Sequence, residues 1–184
     1  MVPNARNTNF AFIDSQNLYR GVKSLGWQID FQKFRIYLRD KYRVGKAYLF
    51  LGYLPKNREL YAELERAGYI CVFKPILVTR SGEIKGNCDA ELVLQAMIDF
   101  DEYEKAIIST GDGDFHCLID YLHEKQKLEA LIIPNKNQCS ALLKLRKFRA
   151  RTRFTSDLRL KLQSEKERPL KDETLRGELS RSDI

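Results

Sequence analysis

The chain has 184 residues, of which 43% are hydrophobic and 31% are charged. This length and composition suit one domain with a hydrophobic core. No run of about 18 apolar residues is present, which excludes a membrane-spanning helix. The N-terminus lacks the apolar core of a secretory signal, and the four cysteines form no Cys-x-x-Cys pair. We therefore expect reduced thiols, a cytoplasmic location and no membrane partner.

Almost all of the net charge of +7 lies in one short segment. Residues 1–139 contribute 19 basic and 18 acidic side chains, and residues 164–184 contribute five and six. Residues 140–163, here called the basic segment, carry eight basic side chains against Asp157 alone. Such clustered cations favour docking of a polyanion, and a solvated helix face is the alternative interpretation.

Short apolar runs alternate with amphipathic stretches, a pattern typical of a parallel sheet with crossover helices. In chain order it predicts strand Phe10–Ile13, helices Asn17–Leu25 and Phe31–Lys41, strand Lys46–Tyr53, helix Pro55–Ala67 and strand Tyr69–Phe73. It continues with helix Ala90–Phe100, strand Lys105–Ser109, helix Phe115–Lys125, strand Leu128–Ile133, and helices Ser140–Lys147 and Thr155–Leu162. Gly26 and Gly68 are expected to end the helices before them, and Ser81-Gly82 indicates a hairpin turn.

Two expectations concern burial. In the helix Ala90–Phe100, the apolar side chains are expected to be mostly buried, namely Leu92, Leu94, Ala96, Met97 and Phe100. From Ser164 onward, charges of both signs dominate and few apolar side chains are present. Such a segment buries too little apolar area to offset its ordering entropy. We therefore predict a folded domain over residues 1–163 and a disordered tail over residues 164–184.

Four acidic side chains fall where one edge of the predicted sheet would bring them together. Asp14 follows the first strand, Asp112 and Asp114 follow the fourth, and Asp89 begins the helix before the fourth. In open parallel sheets, sites form at the carboxyl ends of the strands, where strand order reverses. Because clustered carboxylates repel one another, a hard cation such as Mg²⁺ would stabilise them. Taken singly, each acid has a structural alternative, as a helix cap, a first-turn acid or part of a polar turn.

Other chemistries lack their motifs. The chain has no Gly-x-x-x-x-Gly-Lys-Ser/Thr loop for nucleotide phosphates and no Gly-x-Ser-x-Gly nucleophile elbow. A phospho-receiver domain would need an aspartate at the end of the third strand, where this chain has Phe73-Lys-Pro75.

Three motifs together resemble a known family. Phe12-Ile-Asp-Ser-Gln-Asn17, Lys85-Gly-Asn-Cys-Asp-Ala-Glu-Leu92 and Ile108-Ser-Thr-Gly-Asp-Gly-Asp-Phe115 follow the order and spacing of the NYN domain, LabA-like branch, in the PIN-like nuclease superfamily. The resemblance implies a Rossmann-like three-layer α/β/α sandwich and metal-dependent cleavage of RNA. One position departs from the pattern, since Ser15 follows the first aspartate where the family usually has glycine.

The resemblance also implies a role for each site residue. Asp14, Asp89, Asp112 and Asp114 would be the metal-binding and catalytic acids, Asn17 the polar residue that supports the first acid, and Thr110 the hydroxyl near the pair. The leading hypothesis is an endoribonuclease that uses Mg²⁺ or Mn²⁺. Its RNA, possibly single-stranded, would lie along basic side chains, namely Lys85, Lys136, Lys144, Arg146, Lys147, Arg149, Arg151 and Arg153. The alternative is a non-catalytic RNA-binding or regulatory module that retains the acidic pocket, and a homodimer is left open.

Overall fold

A six-stranded sheet in which every pairing is parallel forms the centre of the computed structural model, which describes residues 8–75, 77–78, 84–85 and 88–165. Its strands in chain order are β1 (Asn9–Asp14), β2 (Val44–Tyr53), β3 (Ile70–Pro75), β6 (Ala106–Ser109), β7 (Leu128–Ile133) and β8 (Thr152–Phe154). Strands β4 (Leu77–Val78) and β5 (Ile84–Lys85) form a separate antiparallel hairpin. The predicted hairpin is confirmed, and its turn at Ser81-Gly82 lies outside the described residues.

The strand order is β3-β2-β1-β6-β7-β8. Strands are added in one direction from β1 to β3 and in the other from β6 to β8, so the order reverses between β1 and β6. This is the Rossmann-like arrangement of a doubly wound sheet, and its switch point separates the ends of β1 and β6. The predicted α/β class with a mainly parallel sheet is confirmed.

Helices cover both faces of the sheet. They are α1 (Ser15–Lys23), α2 (Phe31–Tyr42), α3 (Arg58–Arg66), α4 (Asp89–Ile98), α5 (His116–Glu124) and α6 (Arg159–Leu162). The first three and α6 pack on the face that carries Ile13 and Leu49. Helices α4 and α5 pack on the face that carries Phe12 and Phe50. The sheet is therefore buried on both sides, which explains why its strands are continuous apolar runs.

The structure corrects the prediction after β7. The segment Ser140–Lys147 is two short 3-10 helices, Ala141–Lys144 and Arg146–Phe148, rather than one helix. They are separate because Leu145 is extended, with ψ of 144°. Strand β8, which was not predicted, follows them at the edge of the sheet. It has only three residues, too few to show a period.

Two further expectations need correction or fall outside the structure. In α4, Leu92 and Ala96 are buried, but Leu94 is 60% exposed and Met97 37% exposed, so the prediction of burial was wrong for these two. The helix is apolar on its exposed side as well, and the pattern therefore did not mark the buried face. Of the predicted tail, residues 166–184 lie outside the described residues. Within the described ranges, no helix is long and apolar enough to cross a membrane.

Helix α6 contains one buried and one exposed leucine, and these two residues test whether the helix packs on the core. The side chain of Leu162 is fully buried, whereas that of Leu160 is 97% exposed. Leu162→Ala removes buried apolar volume and should lower the free energy of unfolding by about 2–5 kcal/mol. Leu160→Ala should change it by less than about 0.5 kcal/mol. Urea denaturation of both variants measures the difference, and equal stabilities would contradict the packing of α6 on the core.

Candidate metal centre

Three carboxylates meet at the carboxyl edge of the sheet. Asp89 is the first residue of α4. Asp112 and Asp114 lie in the connection from β6 to α5, here called the acidic loop, which ends in the 3-10 helix Gly113–Phe115. Carboxylate oxygens of these three residues all lie within 4.8 Å of one another. Among the described residues, no other group of three His, Cys, Asp or Glu side chains is so close together. The structure therefore brings together three of the four acids selected from the sequence.

Asp14, the fourth acid, adjoins this group at the end of β1. Its carboxylate caps α1, since Oδ1 accepts a hydrogen bond of 3.0 Å from the backbone N–H of Asn17. Its Oδ2 accepts a hydrogen bond of 3.3 Å from the hydroxyl of Thr110. Because capping is one of the structural alternatives for this residue, it serves the fold as well as any chemistry.

Thr110 connects the acids of the two central strands. Its Oγ1 donates to Asp14 and accepts a hydrogen bond of 3.1 Å from the backbone N–H of Asp112. Oδ1 of Asp112 in turn accepts from the backbone N–H of Asp114 at 3.0 Å. Thr110 is itself fully buried. A single hydroxyl therefore fixes the position of β1 relative to the acidic loop.

Asn17 holds the same loop from the opposite side. Its Oδ1 accepts a hydrogen bond of 2.7 Å from the backbone N–H of Gly111. A Cβ atom at position 111 would lie 3.3 Å from that oxygen, tighter than most Cβ contacts, so glycine allows the close approach. Asn17 therefore acts through the loop and through the cap of α1, and belongs to the support of the acids.

Ser15 replaces the usual glycine without strain. It is the first residue of α1 and is not among the residues with positive φ, so the turn after Asp14 requires no glycine. The Ser15 hydroxyl is buried and donates a hydrogen bond to the carbonyl oxygen of Phe50. Phe50 pairs with Asp14 in the sheet. The serine thus ties the start of α1 to β2 beside the first acid.

Burial raises the pKa of the Asp14 carboxyl to about 6, from an ordinary value of 3.8. The negative charges of Asp89 and Asp112 raise this pKa further, and the hydrogen bonds from Asn17 and Thr110 oppose the rise. At neutral pH the carboxylate is therefore charged at a cost in free energy. A cation between these acids would remove that cost.

The side chains present fit a hard divalent cation. All of them offer oxygen ligands, and Mg²⁺ and Mn²⁺ prefer carboxylate oxygens while keeping several waters. Asp89 and Asp112 are half-buried and Asp114 is exposed, so solvent reaches the group from one side. Asp89, Asp112 and Asp114 are therefore the residues that could hold such a cation.

The basic segment does not form one patch beside the acids. Lys144 belongs to the 3-10 helix that follows Ser140, whose backbone N–H donates to Gly111 at 3.0 Å. Lys136 follows β7, and its Nζ lies 5.5 Å from the centre of the Phe154 ring. These two lysines therefore lie at the acidic edge.

The remaining basic side chains lie farther along the segment. Lys147 forms an ion pair with Asp120 on α5, and Arg151 contacts Glu129 at 3.1 Å near the start of β7. The start of β7 is at the opposite edge of the sheet from the acids. The other members are exposed, namely Arg146, Arg149 and Arg153. The side chain of Lys85 lies outside the described residues.

Sequence reasoning missed one charged pair near the acids. The ammonium of Lys74, at the end of β3, lies 3.2 Å from the Glu91 carboxylate in the first turn of α4. Glu91 is two residues from Asp89. Burial raises the pKa of the adjacent Cys88 thiol, and the charges of Glu91, Lys74 and Asp89 also act on it. No motif marks Lys74, because its place beside α4 depends on the register of β2 and β3.

The family model of the NYN domain matches residues 10–149 of the sequence, about three-quarters of the chain. The chain belongs to the NYN domain family. The matched range includes all four acids, and the match confirms the family predicted from the three motifs.

Two known proteins are similar to this NYN chain, one in sequence and one in structure. The "Low amplitude and bright protein LabA" of Synechococcus elongatus (strain ATCC 33912 / PCC 7942 / FACHB-805) is 27% identical in an alignment of 126 residues that covers 62% of this chain and 67% of LabA. The crystal structure of a protein of unknown function from Vibrio parahaemolyticus RIMD 2210633 superimposes with a TM-score of 0.61. That similarity covers 78% of this NYN chain and 91% of the other at 20% identity, and it shows a shared fold.

The raised pKa of Asp14 predicts that its charged carboxylate destabilises the folded state when no metal is bound. Since the folded state holds the Asp14 proton more tightly than the unfolded state, this carboxyl favours folding below about pH 4, and the contribution is lost as the pH rises through about 6. In metal-free buffer at about pH 8, Asp14→Asn should therefore raise the free energy of unfolding by about 1–3 kcal/mol. Asparagine also retains the helix cap.

Asp30→Asn is the matched control, because Asp30 caps α2 through a 3.0 Å hydrogen bond from Lys33 and lies outside the acidic group. It should leave stability within about 0.5 kcal/mol of wild type. Urea denaturation at about pH 8 and pH 4 measures both variants. The stabilisation by Asp14→Asn should vanish at the lower pH, and a gain of equal size at both would contradict the assigned pKa.

Proposed function

We propose that this NYN domain is a metal-dependent endoribonuclease whose site is formed by Asp14, Asp89, Asp112 and Asp114. The observation that carries the proposal is the meeting of three carboxylates within 4.8 Å at the switch point of the sheet. Membership of the NYN family supports it, because the family belongs to the PIN-like nuclease superfamily. Mg²⁺ or Mn²⁺ is the cation that these oxygen ligands favour.

In the proposed site, Asp89, Asp112 and Asp114 hold the cation. When bound, such an ion activates water and neutralises negative charge on a phosphate. Asp114, the exposed member of the group, can orient the attacking water through a carboxylate oxygen. Thr110 and Asn17 keep the acidic loop at its distance from β1, so that the ligands are in place before substrate binds.

Asp14 is suited to handle a proton. A carboxyl with a pKa of about 6 is deprotonated at neutral pH and is a stronger base than an ordinary aspartate. Its Oδ2 is already hydrogen-bonded to Thr110, which fixes the orientation of the carboxylate. We assign to Asp14 either direct metal binding or acceptance of the proton from the attacking water.

RNA would be held through its phosphates at the acidic edge. Lys136 and Lys144 lie beside the acidic loop, and the exposed Arg146 and Arg149 extend the basic surface away from it. Lys85, Lys147, Arg151 and Arg153 stay candidate phosphate contacts of lower rank. Lys147 and Arg151 are paired with acids, and the Arg153 guanidinium donates to backbone carbonyls of its own segment. The side chain of Lys85 lies outside the described residues. Contacts of this kind position a strand without reading its bases.

The test is cleavage of labelled single-stranded and hairpin RNA in Mn²⁺, Mg²⁺ or EDTA. Wild type should cleave only with a metal ion. Asp112→Asn, which is nearly isosteric but removes one ligand charge, should reduce the rate by at least about 100-fold, the scale of losing one electrostatic group from an active site.

Asp157→Asn is the control for this test, because Asp157 is an exposed aspartate in a 3-10 helix and is not a member of the acidic group. It should cleave at the wild-type rate. If wild type and Asp112→Asn both bind RNA equally and neither cleaves RNA or DNA with either metal, the chain is instead a non-catalytic RNA-binding or regulatory module.

A further inference from the structure

We propose that Lys74 binds a backbone phosphate of the substrate strand next to the bond that is cleaved, and that Glu91 holds Lys74 in position for it. The inference rests on the proposed function, in which the acidic edge faces an RNA backbone. It adds a substrate-binding residue on the β3 side of the site, opposite the basic segment beyond β7.

Strands β2 and β3 extend farther than β1 at the acidic edge. Asp14 is the last residue of β1 and pairs with Phe50, whereas β2 continues to Tyr53. Over this extension, Gly52 pairs with Lys74. Lys74 is thus two strands and two residues away from Asp14, about 12 Å between Cα atoms from standard strand spacings.

Lys74 lies on the same face of the sheet as the acids. Ile13, Leu51 and Phe73 contribute to the core under α1, α2 and α3, and successive side chains of a strand alternate between faces. The residues that follow them are therefore directed towards α4, namely Asp14, Gly52 and Lys74. The ion pair between Lys74 and Glu91 of α4 agrees with this orientation.

Two residues of β2 on this face lie between Asp14 and Lys74, namely Phe50, which is buried, and Gly52. Beyond the end of β1, the position on β2 that faces α4 is Gly52, which is partly exposed. A nucleic-acid backbone can approach closely where a residue has no Cβ. On β2, Gly52 therefore places no side chain between the acidic group and the Lys74 ammonium.

Glu91 holds the Lys74 ammonium through an ion pair on one side of α4. Asp89 and Glu91 are two residues apart, so they point to different sides of α4, one towards the acidic loop and the other towards Lys74. The pair is half-buried, with 32% of the Lys74 side chain and 33% of the Glu91 side chain exposed. About one-third of the Lys74 side chain is thus exposed, and a lysine binds phosphate as a point charge.

The experiment measures binding of single-stranded RNA of uniform sequence to Lys74→Gln over a range of salt concentrations. Loss of one phosphate contact should make the plot of log K against log salt shallower by about 0.7. Affinity at about 0.1 M salt should fall about 5- to 20-fold, as for one charged contact. Lys74→Arg keeps the charge and should restore both values.

Lys105→Gln is the matched control, because Lys105 pairs with Glu129 at 3.4 Å with similar exposures of 35% and 26%. It precedes β6 and is therefore at the opposite edge of the sheet. It should leave the salt dependence unchanged, and its stability measured in urea should resemble that of Lys74→Gln. If the plot of log K against log salt for Lys74→Gln has the wild-type slope, the inference is overturned. The Lys74–Glu91 ion pair then has a structural role only.

Cleavage kinetics separate this inference from the proposed function. If the chain cleaves RNA, Lys74→Gln should raise KM about 5- to 20-fold with kcat within about twofold of wild type, because a contact to a phosphate that does not itself react contributes equally to binding before and during the reaction. If wild type cleaves nothing but Lys74→Gln still makes the salt plot shallower, the nuclease proposal fails and Lys74 remains an RNA contact. If the chain cleaves RNA and Lys74→Gln has the wild-type KM and salt slope, the phosphate contact of Lys74 is rejected and the nuclease proposal stands.

Discussion

Electrostatic repulsion among carboxylates at one sheet edge is the constraint on which the rest of the site depends. Asp89, Asp112 and Asp114 are held within 4.8 Å, and Asp14 adjoins them with its pKa raised by burial and by its neighbours. Such an arrangement persists only if the scaffold is fixed by other contacts. The hydrophobic core on both faces of the sheet supplies those contacts. Part of the stability of the core therefore offsets the repulsion among the carboxylates.

The fixing contacts are concentrated around α1, which lies beside the switch point. Asn17 binds the loop after β6, and Ser15 binds the carbonyl of β2 next to Asp14. At the other end of α1, Gly21 packs so closely that a Cβ there would lie 2.5 Å from Cβ of Pro134 after β7. One short helix therefore positions β2, β6 and β7 relative to the first acid.

Charge is distributed around the acidic edge in two different ways. Beyond β7, basic residues follow one another along the chain, and the fold spreads them from the acidic loop to the opposite edge of the sheet. On the β3 side, a single lysine reaches the same face through strand register and is held by an acid of α4. Basic residues that are clustered in the sequence are therefore dispersed over the surface. Lys74, which is isolated in the sequence, lies beside the acidic group.

The sequence by itself determined the class of the fold, the family and the choice of the acids. Apolar runs at β1, β2 and β7 are long enough to indicate buried parallel strands. Asp14 ends β1, and Asp112 and Asp114 follow β6, at the edge where the sites of such sheets form. Only the tertiary structure decided which acids meet, since Asp14 is occupied with a helix cap while Asp89 joins the loop of Asp112 and Asp114. The same holds for β8, whose three residues carry too little pattern, and for Lys74, whose position depends on pairing with Gly52. Local sequence encodes the period and polarity of an element, but register and the direction of single side chains follow from packing between distant parts of the chain.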